Sequence, residues 1–366
     1  MKYYKVLGLM SGTSLDGLDL ALCTFGYDKG NWNFAVEKSA TCPYNKEWKK
    51  KLSLAGKLNA YDFISFHKEY GCFIGEKVND FTHNDKGSVD FIASHGHTIF
   101  HEPDKQLTFQ LGDGAMIAAV TGLTTISDFR NLDISLGGQG APLVPIGDDF
   151  LFGNYDYCLN LGGFSNISYR MNNKRIAFDI CPVNIILNRI AQKAGFDFDK
   201  DGEIGSRGKL LPELLNELDK LEYYNILPPK SLSREWLEKY FLPVLEKQSF
   251  LIEDILRTLY EHLAEQISKT VSGSSKNMLV TGGGAYNKFL VELLQNKTDV
   301  KIIVPDRQIV EYKEAIIFAF LGLLRYEKKV NCLSSVTGAR LDNCGGSIFE
   351  GTYKRHHLKA MPVTKF

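Results

Sequence analysis

The sequence predicts an α/β protein made of two related halves. Apolar, β-branched runs alternate with segments of helical period. Glycine turns directly follow the apolar runs. A strand–glycine–strand unit at 155–170, YDYCLNLGGFSNISYR, echoes the unit at 3–25. Each half therefore opens on a glycine-turned β-hairpin. In α/β folds ligands collect in the crevice at the strand ends, which is where these turns lie.

Taken in order, 3–9 reads as a strand, GLMSGTSLDG as a loop, and 18–25 as a second strand. Residues 46–80 read as helix with an interruption, and VDFIASHGHTIF (89–100) as a strand ending in polar groups. LGDGAMIAAVTGLTTISDF reads as an Asp-started helix, a glycine turn and a strand. LGGQGAPLVP (136–145) is rich in Gly and Pro and reads as a hinge. Residues 175–195 give a strand with Asp179 at its end, then Pro182 and a helix. Segment 249–271 is helical, 277–295 is strand, triple-glycine turn and helix, and 310–326 is an apolar helix.

Composition narrows the partners. Lys+Arg and Asp+Glu both number 43 in the 366 residues, so nothing favours nucleic acid. No apolar run reaches membrane-spanning length, and the N-terminus does not read as a signal peptide. The seven cysteines are odd in number and widely spaced, with no CxxC, which predicts a cytoplasmic chain without disulfides or a thiolate zinc site. The basic runs KEWKKK and KRHHLK read as solvated surface.

Three glycine turns stand out: 12–17, Gly162-Gly163, and Gly282-Gly283-Gly284. Glycine lets backbone N–H groups approach an anion and tolerates positive φ, so three such turns suit a nucleoside triphosphate; tight hairpins would use the same residues. There is no Walker loop and no GxGxxG opening a helix. GTSLDG misses the GxSxG nucleophile elbow at Asp16, and a strand follows it, which leaves a serine hydrolase centred on Ser14 as a distant rival. Asp179 reads either as a base facing the crevice or as a helix N-terminal cap. His95 and His97 fall on one face of a strand, open to a metal or, more simply, to hydrogen bonding. Arg130 suits a carboxylate or phosphate, or an ion pair with Asp128 or Asp133. Glu314 is a lone acid on an apolar helix, facing a site or sitting in the helix's first turn.

In order along the chain, GLMSGTSLDGLDLAL, SHGHT, QLGDGAMIA, DFRNLDISLGGQGAPLVP, NLGGFSNIS, PPKSLSREW, TGGGAYN and SSVTGAR resemble the anhydro-N-acetylmuramic acid kinases. The resemblance implies the duplicated actin/hexokinase-like (ribonuclease H-like) fold, two lobes around a central cleft. It implies an N-terminal lobe over 1–140, rejoined by a tail from about 341 to 366, and a C-terminal lobe over 141–340. It also implies a cytoplasmic homodimer that uses ATP and Mg2+ to phosphorylate an amino sugar of cell-wall recycling. Gly12, Thr13, Ser14, Leu15, Asp16, Gly17, Leu18 and Asp19 match the ATP loop. Gly162, Gly163 and Asn166 match a second phosphate turn, and Gly282, Gly283 and Gly284 the nucleoside-side turn. Asp179 matches the catalytic base, and His95, Arg130 and Glu314 match the sugar pocket; no residue is assigned to the metal. The family's DTGPGN is Asp179-Ile180-Cys181-Pro182-Val183-Asn184 here, and its SHGQT is SHGHT, with His97 for Gln. These departures leave open a kinase of a related amino sugar, or a silent nucleotide-binding sensor of the same fold.

Overall fold

The computed structural model describes residues 2–83, 86–246 and 250–352. The basic segment KRHHLK lies outside the described residues. The strands are β1 (Lys2–Ser11), β2 (Gly17–Asp28), β3 (Asn31–Pro43), β4 (Phe91–Glu102), β5 (Leu107–Leu111), β6 (Thr125–Ser127), β7 (Tyr157–Leu161), β8 (Phe164–Met171), β9 (Lys174–Pro182), β10 (Asn277–Thr281), β11 (Lys301–Ile303) and β12 (Ser347–Phe349). They form two sheets, ordered β12–β6–β4–β1–β2–β3 with β5 on β4, and β11–β10–β7–β8–β9.

The two sheets share one plan. In each, three strands pair antiparallel in sequence, β1–β2–β3 and β7–β8–β9. Two further strands then add parallel to the first, β4 and β6 in one sheet and β10 and β11 in the other. This is the duplicated α/β topology that the paired hairpins in the sequence point to. The strand β3 is an addition to the sequence reading. It is an edge strand whose side chains alternate between exposed and half-buried, so it lacks an apolar run. Lys29 (φ 48°) and Gly30 (φ 93°) make the tight turn that folds it back on β2.

The chain divides into two compact units, one through Leu151 together with the segment from Tyr312, the other Phe152–Glu311. Segment 136–145 reads from its composition as a hinge, and its first half is hydrogen-bonded within the first unit. Gly140 N–H donates to Asp133 Oδ2 (2.8 Å), Gln139 N–H to the Thr337 carbonyl (2.8 Å), and Arg340 N–H to the Leu136 carbonyl (3.1 Å). Two of its glycines, Gly137 and Gly140, take positive φ. The crossings consequently fall near 151 and 311 instead of about 140 and 340.

In the first unit the helix Ala60–Thr82 lays Phe66, Tyr70, Ile74 and Val78 on Leu7, Leu9, Leu20 and Leu22. The expected single helix over 46–80 is two, Lys46–Leu54 and Ala60–Thr82, each started by an Asn side chain, Asn45 and Asn59, accepting a backbone N–H. The opposite face of the sheet carries the helix Arg307–Tyr326. A Cβ on Gly8 would lie 1.9 Å from the Ala315 carbonyl oxygen, so helix and strand touch backbone to backbone there. In the second unit the helix Ile252–Ser268 sets Leu256, Leu259, Leu263 and Ile267 against Leu159, Leu161, Phe178, Met278 and Val280. Burying such residues stabilises by roughly 1.5–3 kcal/mol each.

Gly8→Ala is expected to lower stability by about 1–3 kcal/mol through overpacking. Urea denaturation would show an earlier midpoint, and an unchanged midpoint would mean that the helix is not seated on β1.

Candidate active site

The first turn, loop 12–16, joins β1 to β2. Leu15 N–H donates to the Gly12 carbonyl (3.3 Å), and Leu15 takes φ 60°. Among the described residues the N–H groups of Thr13 and Ser14 have no protein acceptor, and both residues are exposed. Exposed donors on a turn beside a strand end are open to water or to an anion. Gly17, Leu18 and Asp19 belong to β2. Leu18 is buried in the core among Leu9 and Leu20, so its side chain packs and does not face a ligand. Asp19 accepts a hydrogen bond from Thr41 Oγ1 (2.5 Å). The strand after the loop replaces the helix that a serine nucleophile elbow requires at Ser14.

The three candidate sugar residues come together in the same unit. Arg130 donates from Nε (3.1 Å) and Nη2 (2.8 Å) to His95 Nε2, and from Nη1 to the Gly140 carbonyl (2.6 Å). It makes no ion pair with Asp128 or Asp133. His95 Nε2 therefore accepts, and Nδ1 is paired with the Gly96 carbonyl at 2.9 Å. Burial, and next the Arg130 cation, hold the His95 imidazole well below the ordinary histidine range, so it is neutral. Burial lowers Arg130 to about 10, with Glu314 opposing, so the guanidinium stays charged at neutral pH while fastened by neutral acceptors. Glu314 stands beyond the first turn of its helix, Arg307–Tyr326, which removes the helix-start reading. Its side chain is exposed to solvent, while the protein around it raises its carboxyl by desolvation, against the Arg130 and Lys313 charges. Phe318, one turn further on, packs against His95 with the rings tilted by 49° and centroids 4.5 Å apart.

His95 and His97 do not share a face. Between the pairs Leu9–Ser94 and Ser11–His97, β4 carries one residue more than β1, and Gly96 takes φ 75°. This bulge reverses the alternation. His95 goes to Phe318 and Arg130; His97 goes to Ser11 Oγ (2.9 Å) and the ring of Tyr70. The one-face metal reading fails on this point. Among the described residues no group of three or more His, Cys, Asp or Glu could hold a metal ion.

In the second unit the two glycine turns meet at Asn184. The Gly162 and Gly163 carbonyls accept N–H groups of Asn184 (3.2 Å) and Val183 (2.8 Å). Asn184 Nδ2 donates to the Leu161 carbonyl (2.9 Å). A Cβ on Gly283 or Gly284 would meet Asn184 at 3.6 or 3.4 Å, and Gly282, at φ 82°, sits against Asn160 and Leu161. Among the described residues the N–H groups of Gly283 and Gly284 have no acceptor. The two turns are thus neighbours, with open donors.

Asp179 lies within β9, opposite Asn166 of β8, not at the strand's end. It is five positions before the helix Asn184–Lys193 and does not cap it. Segment 223–232 holds it at three atoms. Its N–H donates to the Lys230 carbonyl (3.2 Å), its carbonyl accepts from Tyr223 OH (2.7 Å), and its Oδ2 accepts from Leu232 N–H (2.9 Å). Desolvation pushes its carboxyl up to about 6, against the Leu232 hydrogen bond. The next pair down is Ser165–Cys181, so β9 also carries an extra residue, Ile180. Cys181 therefore faces Ser165 in the core (Oγ to Sγ 3.2 Å), away from Asp179.

The first unit thus carries a turn with open donors and a guanidinium held by neutral acceptors, and the second a turn with open donors and a carboxylate tuned toward neutrality. The profile of the anhydro-N-acetylmuramic acid kinases matches residues 4–351. The chain belongs to this family. The anhydro-N-acetylmuramic acid kinase of Sulfurimonas denitrificans is 35% identical, over 94% of this chain and 99% of that protein. That of Haemophilus influenzae is 32% identical, over 95% and 98%.

For this member of the anhydro-N-acetylmuramic acid kinases, two groups of positioning residues were not assigned from the sequence. PPKSLSREW carried the family likeness without a role; Lys230 and Leu232 within it clamp Asp179. Asn184 was noted only as a retained family residue, yet it ties both turns of the second unit. Lys230 and Leu232 act through backbone groups, for which residue type gives no signal, whereas Asn184 acts through its backbone N–H and its side-chain amide.

A base must be deprotonated, so kcat/KM is expected to rise with pH through about 6 and then level off. A profile flat from pH 5 to 8 would remove Asp179 from the proton transfer.

Proposed function

We propose that this ATP-dependent sugar kinase opens the anhydro bridge of 1,6-anhydro-N-acetylmuramic acid with water while phosphorylating the 6-oxygen. The product is N-acetylmuramic acid 6-phosphate. The observation that carries this reading is Asp179, with one carboxylate oxygen engaged by Leu232 N–H and its carboxyl raised to about 6. Asp179 takes one proton from water. The remaining O–H bonds to the anomeric carbon, the bond from that carbon to O6 breaks, and O6 takes the γ-phosphoryl group as the bond to the β-phosphate oxygen breaks. The open N–H groups of Thr13 and Ser14 and those of Gly283 and Gly284 hold the phosphates, and Arg130 with His95 and Glu314 orients the sugar. Positioning and charge stabilisation do most of the work in such transfers.

Mg2+ is bound mainly through phosphate oxygens and water, with one or two carboxylates. Asp16 on the loop and Asp19 beside it fit that requirement and would hold it; bound there it would neutralise phosphate charge. The seven cysteines are free, which supports a reducing, cytoplasmic setting. We take the family's homodimer as the expected assembly. Among the described residues no helix is long and apolar enough to cross a membrane.

The departures from the family pattern do not favour a different sugar. Ile180, Cys181 and Val183 are buried in the core of the second unit, and His97 is turned away from His95 and Arg130. A silent sensor is disfavoured by the three-point hold on Asp179.

The test is mass spectrometry of the product from 1,6-anhydro-N-acetylmuramic acid, ATP and Mg2+. A gain of one phosphoryl group plus one water is expected. Asp179→Asn should lower kcat by about 10²–10⁴ while ATP still binds. Phosphate gain without water would mean an ordinary hydroxyl kinase.

A further inference from the structure

Loop 12–16 has little to hold its shape. The one hydrogen bond within it runs from Leu15 N–H to the Gly12 carbonyl, at 3.3 Å. Its two ends, however, meet one residue. Tyr44 OH is 2.7 Å from Ser11 Oγ, just before the loop, and Tyr44 N–H donates to the Asp16 carbonyl (3.2 Å), at its far end. Ser11 Oγ also meets His97 Nδ1 (2.9 Å), and Tyr44 OH meets Tyr70 OH (2.6 Å). Ser11, Tyr44, Tyr70 and His97 are each at most 4% exposed, so four polar side chains are enclosed on the core face of the sheet.

We propose that Tyr44 is a positioning residue that clips both ends of loop 12–16 and, through Ser11 and His97, holds the loop ready for the nucleotide phosphates. The proposal rests on the reading of this loop as a phosphate turn. Buried polar side chains are tolerated only when satisfied, and a satisfied network rigidifies the backbone joined to it. A loop held in its bound form loses less conformational entropy when the ligand arrives. The extra residue in β4 is what turns His97 onto this face, so the same bulge that sends His95 to Arg130 completes the clip. A Gln at position 97 has an amide that can reach Ser11 in the same way; a Leu does not.

The experiment measures KM for ATP and for the anhydro sugar, and calorimetric affinity for a non-hydrolysable ATP analogue with Mg2+, in four variants. Tyr44→Phe removes one hydroxyl and keeps the ring packed on Phe73 and Tyr70. Tyr44→Phe and His97→Leu should each weaken the nucleotide about three- to tenfold, the worth of a lost hydrogen bond, and leave the sugar KM within about twofold. His97→Gln should stay close to the parent. Gly12→Val is the control for the loop itself, since a Cβ there meets only Ser14 Oγ, at 3.6 Å. If Gly12→Val loses the analogue while Tyr44→Phe and His97→Leu bind it normally, the loop reading stands and the clip is wrong. Normal binding by Gly12→Val would overturn the loop reading and the clip together. An equal rise in both KM values, or no rescue by His97→Gln, would reduce the network to core packing and overturn the proposal.

Discussion

One extra residue in β4, within 94–97, and one in β9, at Ile180, decide which side chains stand at the chemistry of each unit. In a regular strand, residues two apart share a face. Here His95 and His97 part, and so do Asp179 and Cys181. The first break gives His95 to Arg130 and His97 to Ser11. The second keeps Asp179 beside Asn166 and sends Cys181 into the core. Bulges re-aim side chains in this way at the cost of an unpaired ladder position, and both breaks lie next to candidate site residues.

What surrounds those side chains is mostly backbone. Arg130 is fastened by a neutral imidazole and a carbonyl, Asp179 by a carbonyl, an amide and a tyrosine hydroxyl, and the glycine turns by Asn184. None of these partners carries an opposing charge. A cation or a carboxylate held by neutral groups keeps its electrostatic reach for a ligand, whereas an ion pair would spend it on its partner. Desolvation then tunes each group: the Asp179 carboxyl moves up toward neutrality and His95 is kept uncharged as an acceptor.

Much of this was legible in the sequence. The two hairpins, the glycine turns and the apolar helices follow from periodicity and turn chemistry, and the motif order pointed to the family. The edge strand β3 was hidden because its exposed positions break the apolar signal. The run 136–145 read as a hinge because composition cannot separate a passage between units from positive φ within one unit. The departures at Ile180, Cys181, Val183 and His97 read as changes near the sugar because they fall in motifs matching the family's DTGPGN and SHGQT, and the shared face of His95 and His97 assumed unbroken strand alternation. A bulge is a property of two paired strands, and one strand's sequence does not announce it. The same holds for the backbone partners of Asp179, supplied by residues about 50 positions downstream.

In the proposed reaction water, activated by Asp179, enters the sugar as the phosphoryl group leaves ATP. Running the reaction in water enriched in oxygen-18 and locating the label by fragmentation of the product tests it most directly. One labelled oxygen is expected, on the anomeric carbon, with none in the phosphoryl group. Label in the phosphate, or an unlabelled sugar, would contradict it.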